Sequence, residues 1–289
     1  MPPPLTFTPP TPPGLDLGPT LGSLRVGESD PCWRTDADGS WTWATRTPEG
    51  AVTLQLHARE GAVVAQAWGP GAEWSELLLP GLVGVHDDPS ALVTDHDPVA
   101  SIVARYPGFR LARSARVADA AVAGVCRRGV SSFEAARSWA LLVEAMGDDA
   151  PGPGGLRLPA APRRVAAADP YELHVLGLEH QRADEVRRIA SHASRLELST
   201  TEPGDAVVDR LRNIAGVGAD AIDHVRSVAL GQSDALPVID AHHLAALVRV
   251  LQTDDRSADA EILLEAFRPQ RGRVVRLIGL AAEEPLVSP

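Results

Sequence analysis

The pattern of hydrophobic positions changes partway along the chain. Hydrophobic and polar residues alternate over residues 32–74, so that Trp41 and Trp43 are expected to share one face of a strand and the even-numbered residues of 62–66 one face of another. Alternation with a period of two is typical of half-buried antiparallel strands joined by Gly and Pro turns. Beyond about residue 86 the apolar positions recur three and four residues apart, as in amphipathic helices. The pattern predicts an α+β fold, with a small N-terminal antiparallel sheet domain followed by a mostly helical domain.

These changes divide the chain into three predicted segments. Residues 1–22 contain the run MPPPLTFTPPTPPG, and proline at this density predicts a disordered or extended tail because it cannot donate backbone hydrogen bonds. Residues 23–112 form the predicted sheet domain and residues 113–289 the helical domain. One predicted helix of the second domain spans 258–267.

Charge and composition narrow the classes of protein. The formal net charge is −11, which argues weakly against a nucleic-acid partner because phosphate contacts need local cations. Residues 1–112 carry 6 Arg against 13 acidic residues, a net of −7, and residues 113–289 carry 21 Arg against 25, a net of −4. A basic face on the second part is compatible with this balance. All 27 basic residues are arginine, and no lysine is present.

Other features of the composition point to a cell interior. Cys32 and Cys126 have no metal-ligand spacing, and a reducing compartment is the better interpretation. We find neither a secretory leader nor an apolar run of about 18 residues, so no membrane span is predicted. A cytoplasmic, nucleoid-associated protein is expected.

The strongest local motif is a turn between two helices within Leu211–Ala221. Gly216 and Gly218 flank Val217, and a second helix begins at once near Ala219. Glycines at this spacing permit positive φ, and the backbone N–H groups of such a turn can face a phosphate while Val217 points inward between the helices. The motif predicts a helix-hairpin-helix grip on the DNA backbone. Taken alone, it also fits an ordinary helix–helix connection.

An aspartate lies about twenty residues after this hairpin, in the run Pro237-Val238-Ile239-Asp240-Ala241. Asp240 opens a new helix, and by itself it would be interpreted as an N-cap. However, one helix and one loop can return a carboxylate to the DNA face held by the hairpin, which makes Asp240 a candidate catalytic residue. His242 is either a neighbour of that site or a structural residue.

The hairpin, the helix after it and the Pro-containing loop that ends in aspartate resemble the helix-hairpin-helix/Gly-Pro-Asp superfamily of DNA glycosylases. Within it, the chain looks most like bacterial 3-methyladenine DNA glycosylase II over roughly residues 32–283. Further segments in the order of that family are Leu79–Gly84, Asp87-Asp88, Ala166–Leu178, Arg182-Ala183 and Phe267–Gly272.

The resemblance implies a sheet domain related to the TATA-binding-protein half-fold, followed by two helical subdomains with a cleft between them. It implies base excision repair, by flipping and hydrolytic release of alkylated purines such as 3-methyladenine and 7-methylguanine. Asp240 matches the catalytic aspartate, and Gly216 and Gly218 match the hairpin glycines. Carbonyls of Ile214 and Gly216 are expected to bind a monovalent cation, Na⁺ or K⁺, with no other cofactor. The expected partner is double-stranded DNA with alkylated bases, bound by a monomer.

The missing lysine refines this expectation. Relatives with lyase activity form a Schiff base through a lysine in the second helix of the hairpin. Asp220 occupies that position here, and the sequence has no lysine elsewhere. We therefore predict a monofunctional hydrolase that leaves an abasic site.

Several positions depart from the family pattern. Gly129 stands where relatives place an aliphatic wedge, so that Arg127 or Arg128 would have to fill the duplex gap, unless both contact phosphate or solvent. Asp220 and Phe267 replace tryptophans of the base pocket, for which His242 is a further candidate. The alternative hypothesis is therefore a DNA-binding protein of the same fold whose catalysis is lost or directed at another substrate.

Overall fold

A computed structural model describes residues 3–197, 204–253 and 259–283 of the chain. The strands of this part form one antiparallel sheet in the order β1-β5-β4-β3-β2. The strands are β1 (Leu5–Phe7), β2 (Trp33–Thr35), β3 (Trp41–Thr47), β4 (Gly50–Arg59) and β5 (Ala62–Trp68). The sheet confirms the predicted α+β class.

Helices make up most of the rest. They are α1 (Leu17–Gly22), α2 (Leu79–Leu82), α3 (Asp97–Arg105), α4 (Val117–Arg127), α5 (Ser132–Met146), α6 (Pro162–Ala167), α7 (Pro170–Val175), α8 (His180–Leu196), α9 (Gly204–Arg212), α10 (Ala219–His224), α11 (Ala241–Val250), α12 (Ala260–Leu263) and α13 (Arg271–Glu283). A π-helical turn, Val225–Ala229, continues α10. Residue 258, the predicted start of one helix, lies outside the described residues.

The face that β5 presents to the core differs from the prediction. Glu60 and Gly61 both have positive φ, 50° and 82°, as in the two-residue turns that join twisted strands. This turn pairs Arg59 with Ala62, which turns the odd-numbered residues of β5 inward. Val63 and its odd-numbered neighbours are buried, and the predicted even-numbered face is not. Both the even-numbered and the odd-numbered positions of this strand carry apolar residues. The turn, and not the hydrophobic pattern, therefore sets the register.

The N-terminal segment, predicted to be a disordered or extended tail, has defined structure over its described residues. Leu5–Phe7 pairs with β5 at the edge of the sheet, a position that tolerates neighbouring prolines. Asp16 caps α1 by accepting a hydrogen bond from the Gly18 N–H at 3.1 Å, and Leu21 is fully buried. Proline content alone could not reveal these tertiary contacts. Residues 1 and 2 of the predicted tail lie outside the described residues.

The two largest hydrophobic cores of the described residues organise the fold. The larger one joins the sheet to α4, α5 and α8 without a break at the predicted boundary after residue 112, which stays a prediction. The smaller core packs α3 against α11 and α13. No helix of the described part is both long and apolar enough to cross a lipid bilayer.

Candidate active site and DNA-binding hairpin

Asp240 lies where the N-termini of two helices meet. It is the N-cap of α11, and its Oδ1 accepts hydrogen bonds from the His243 N–H at 2.9 Å and from His243 Nδ1 at 2.7 Å. Its Oδ2 accepts from the backbone N–H of Ser132, the first residue of α5, at 3.0 Å and from the Ser132 hydroxyl. Four donors thus hold both carboxylate oxygens, and both helix dipoles favour the negative charge.

These contacts keep the carboxylate ionised. Burial alone would raise the pKa of Asp240, but the hydrogen bonds from His243 and Ser132 outweigh it and hold the pKa well below its usual range. The side chain is 12% exposed, so it remains accessible to a ligand. Asp240 is therefore a fixed anion across the physiological pH range.

The loop before Asp240 is fastened to α13. Asp234 accepts two hydrogen bonds from Arg271, at 2.9 Å from Nε and 2.6 Å from a terminal nitrogen. Gly272 packs so closely on this loop that a Cβ there would lie 2.1 Å from the Ala235 carbonyl oxygen. The position of Asp240 thus depends on contacts with the C-terminal helix.

A cleft of about 570 Å³ opens between the two cores beside Asp240. Ser132 and His243, which hold the carboxylate, form part of its lining. The volume lies within the range of small-molecule sites. Aromatic side chains of Trp41, Tyr106 and Phe109 also line the cleft, although none of them was predicted to do so. Trp41 and Phe109 are buried in the cores, and Tyr106 is half-buried.

The predicted pocket residues lie elsewhere. Phe267 is buried in the smaller core, with its ring 5.9 Å from that of His96, and does not line the cleft. Asp220 lies in the first turn of α10, outside the cleft lining. His242 is exposed, with its ring 5.9 Å from that of His243. The structure therefore does not bring these three residues together.

The hairpin has the predicted shape. Gly216 has a φ of 83°, where a side chain would be strained, and Val217 packs on the larger core. Gly218 is the N-cap of α10, and Ala219 is its first helical residue. Arg188 lies across the turn, because a Cβ on Gly216 would be 2.1 Å from one of its terminal nitrogens.

One of the N–H groups predicted to face phosphate has an internal partner. The Gly218 N–H donates to Oε1 of Glu185 on α8 at 2.8 Å. The other oxygen of Glu185, which is almost fully buried, forms an ion pair with Arg128. A carboxylate of the protein thus occupies a place where the prediction put a DNA phosphate.

The three residues of the predicted wedge segment have different surroundings. Gly129 is exposed with a φ of 69°, and a Cβ there would meet nothing within 4 Å. Arg128 is held by Glu185, whereas Arg127 lines the cleft. Neither arginine is confirmed as a substitute for the wedge.

Sequence reasoning missed the residues that hold Asp240. His243 carried a signal, since it is three residues after the N-cap and its backbone N–H is the expected capping donor. Ser132 carried none, because it is 108 positions away in the sequence. Arg25 and Arg276, which also line the cleft, belong to segments at opposite ends of the chain.

The architecture, a small antiparallel sheet followed by helices with a cleft between two cores, is the fold of known DNA glycosylases. A 3-methyladenine DNA glycosylase from Archaeoglobus fulgidus superposes with a TM-score of 0.70 and 18% identity, over 96% of this chain and 98% of that one. A Clostridium acetobutylicum 8-oxoguanine glycosylase/lyase bound to DNA gives 0.69 and 11%, over 96% and 97%.

A third solved structure matches less of the chain. The Schizosaccharomyces pombe 3-methyladenine DNA glycosylase in complex with abasic DNA gives a TM-score of 0.50 and 15% identity, over 68% of this chain and 98% of that one. No protein-family model matches the sequence, and no curated protein sequence is significantly similar to it. The similarity to known proteins is therefore one of fold.

Proposed function

We propose that the protein is a DNA glycosylase that flips a damaged base out of duplex DNA and hydrolyses its N-glycosidic bond, as in base excision repair. The observation that carries the proposal is the position of Asp240, an ionised carboxylate held by two helix N-termini beside a cleft. Its fold is shared with enzymes whose names describe this activity. Flipping costs a few kcal/mol, and less for a damaged base.

The environment of Asp240 suits charge stabilisation. When the bond between C1′ and the base nitrogen breaks, positive charge develops on the sugar, and a fixed carboxylate nearby lowers the energy of that state. Because its pKa is held so low, Asp240 is a weak base. Its role is therefore to stabilise the oxocarbenium-like sugar and to orient the attacking water.

We further propose hydrolysis without lyase chemistry. Schiff-base formation needs an amine nucleophile, and the chain has no lysine side chain. The product is an abasic site and a free base.

The hairpin would bind the DNA backbone of an undamaged sequence as readily as that of a damaged one, because backbone contacts carry no sequence information. A monovalent cation at the carbonyls of Ile214 and Gly216 remains part of the proposal. The Ile214 carbonyl accepts the Val217 N–H at 3.2 Å and keeps a second lone pair for an ion. Binding by a monomer is likewise a proposal.

The substrate is the least constrained part. The resemblance to the 3-methyladenine family favours alkylated purines, and these are the first substrates to assay. The structural neighbours, however, include both 3-methyladenine and 8-oxoguanine enzymes. The side chains that line the cleft determine whether an alkylated purine or an oxidised base binds there.

The test is base release by the parent and an Asp240→Asn variant from alkylated, deaminated and oxidised duplexes. Asparagine is as good an N-cap as aspartate, so the fold should persist while base release falls about 10³-fold. Asp169→Asn, at the N-cap of α7, is the matched control and should keep parent activity. If the parent releases no base from any duplex yet binds DNA, the alternative of a non-catalytic DNA-binding protein holds.

A further inference from the structure

The lining of the cleft is rich in cations. Arg25, Arg127 and Arg276 contribute guanidinium groups. Among the described lining residues the one carboxylate is that of Glu28, which is exposed. Asp240 adds a second negative charge at the side where the sugar would lie. The lining thus carries three guanidinium groups against one carboxylate.

Two of these arginines, Arg127 and Arg276, lack the carboxylate partner that most buried arginines of the described structure have. Arg116, Arg271 and Arg273 each form an ion pair with a carboxylate. Within the described ranges, neither Arg127 nor Arg276 has a carboxylate oxygen within the 4.0 Å of an ion pair. The protein thus keeps two partly buried cations without an ion-pair partner, and a ligand with hydrogen-bond acceptors would complete the site.

Arg127 and Arg276 donate hydrogen bonds to uncharged oxygens, and some of their N–H groups remain without an acceptor. Arg276 donates to the Ser23 hydroxyl at 2.9 Å and to the carbonyl and hydroxyl of Ser227 at 2.9 and 2.8 Å. Arg127 has one long contact of 3.4 Å to the Arg25 carbonyl, and its Nε is buried without a partner in the described structure. Burial lowers the pKa of Arg276 to about 10, so it stays charged at neutral pH.

A neutral histidine completes this end of the cleft. Burial, with Arg127 and Arg276 nearby, holds the pKa of His224 well below its usual range. Its Nδ1 is buried and has no hydrogen-bond partner in the part of the chain that is described. The imidazole therefore adds no charge to this end of the cleft.

We propose that the cleft binds an uncharged base bearing carbonyl oxygens, the product of oxidation or deamination, and that Arg127 and Arg276 donate to those oxygens. This inference rests on the proposed glycosylase function and names its substrate class. Guanidinium groups are donors without acceptor capacity, and carbonyl oxygens are their natural partners. A methylated purine with a positively charged ring would instead be repelled inside a cleft of low dielectric constant.

The same arginines suit the chemistry of a neutral base. As the bond to C1′ breaks, its electron pair stays on the base, which leaves as an anion delocalised onto its oxygens. Water forms the new bond to C1′, and its proton is transferred to the departing base. Asp240 stabilises the positive sugar, and Arg127 with Arg276 stabilises the negative base. A base already charged by methylation needs no such help.

The experiment compares duplexes with a single uracil, hypoxanthine or 8-oxoguanine against methylated duplex DNA that contains 7-methylguanine and 3-methyladenine. We expect kcat/KM for at least one carbonyl base to exceed that for the methylated purines by about 10²-fold. Arg276→Met should lower release of that base about 10²-fold and leave release of methylated purines unchanged or faster. Arg276→Lys, which keeps the charge, should restore part of the loss.

Controls separate the outcomes. Arg46→Met removes a charge that pairs with Asp148 on the sheet and should behave as the parent. Binding to a duplex with an abasic site verifies that each variant is folded. Preference of the parent for methylated purines, or equal losses on both classes in Arg276→Met, would overturn this inference and leave the glycosylase function standing. Absence of release from every duplex would instead refute the proposed function.

Discussion

Two carboxylates of the molecule lie at helix N-termini and have opposite surroundings. Asp240 caps its own helix, accepts hydrogen bonds from Ser132 and His243, and borders an open cleft. Glu185 comes from a neighbouring helix, accepts the Gly218 N–H of the hairpin, and is neutralised by Arg128.

The difference between them is whether an arginine pairs with the carboxylate. No arginine forms an ion pair with Asp240 among the described residues, so its negative charge stays available to a developing cation. Arg128 forms an ion pair with Glu185, so the negative charge of Glu185 is neutralised inside the protein. Carboxylates at similar positions near helix N-termini can thus have different roles. Asp240 can stabilise a charged reaction intermediate, whereas Glu185 stabilises the fold.

The largest expected effect comes from releasing Asp240. Ser132→Ala with His243→Ala removes two of its four hydrogen bonds and keeps both backbone donors. The carboxylate stays ionised at pH 7, since even an unperturbed aspartate has a pKa of about 3.9. Its position is loosened, and we expect kcat to fall about 10²-fold while KM is unchanged.

Steady-state kinetics of base release measure this effect. A pH profile should keep its shape near neutrality, and Ser132→Thr, which retains a hydroxyl, should recover most of the activity. If the double variant had the kcat of the parent, the side-chain hydrogen bonds to Asp240 would serve only the stability of the helices. The proposed difference in role between Asp240 and Glu185 would then be contradicted.

A smaller effect is expected at the hairpin. Glu185→Gln keeps an oxygen for the Gly218 N–H, removes one negative charge near the DNA backbone and frees Arg128. Affinity for undamaged duplex should rise about 10-fold at low salt, with a salt dependence steeper by about one unit, because one more phosphate contact is made.

Fluorescence anisotropy across a NaCl series can measure both quantities. Glu144→Gln, an exposed acidic residue on α5, is the charge-matched control and should bind as the parent does. Weaker binding by Glu185→Gln would mean that the ion pair holds the hairpin in its DNA-binding shape.

The smallest effect concerns a third carboxylate, that of Asp119 in the first turn of α4. Burial raises the pKa of Asp119 to about 7, although nearby Arg116 opposes the change. Between its unfolded pKa of about 3.9 and pH 7 the folded state binds the extra proton, so this group makes stability fall as the pH rises. Asp119→Asn should therefore be more stable than the parent at pH 8, by about 1 kcal/mol.

Urea unfolding at pH 5 and pH 8 measures the difference. The gain from Asp119→Asn should be larger at pH 8 than at pH 5. An equal gain at both pH values would mean that ionisation of Asp119 does not affect the free energy of unfolding. The contrast between this carboxylate and Asp240 would then have no basis.

Local features of the site could be predicted from the sequence, and contacts between distant segments could not. The glycine turn at Gly216 and the N-cap at Asp240 depend on residues within a few positions, so their geometry follows from local physics. The base pocket was assigned to Asp220 and Phe267 by resemblance, but Phe267 is part of a core. The arginines of the cleft are brought together by packing, which no short pattern records.

The contact between Ser23 and Arg276 spans 253 positions in the sequence. Contacts of such separation require closure of a very long loop and so tend to form late in folding. The cleft therefore cannot be completed before α13 has been synthesised, because Arg276 lies on this helix. Under the proposed function, a nascent chain would present the hairpin before its cleft is complete, so DNA binding would precede the release of a base.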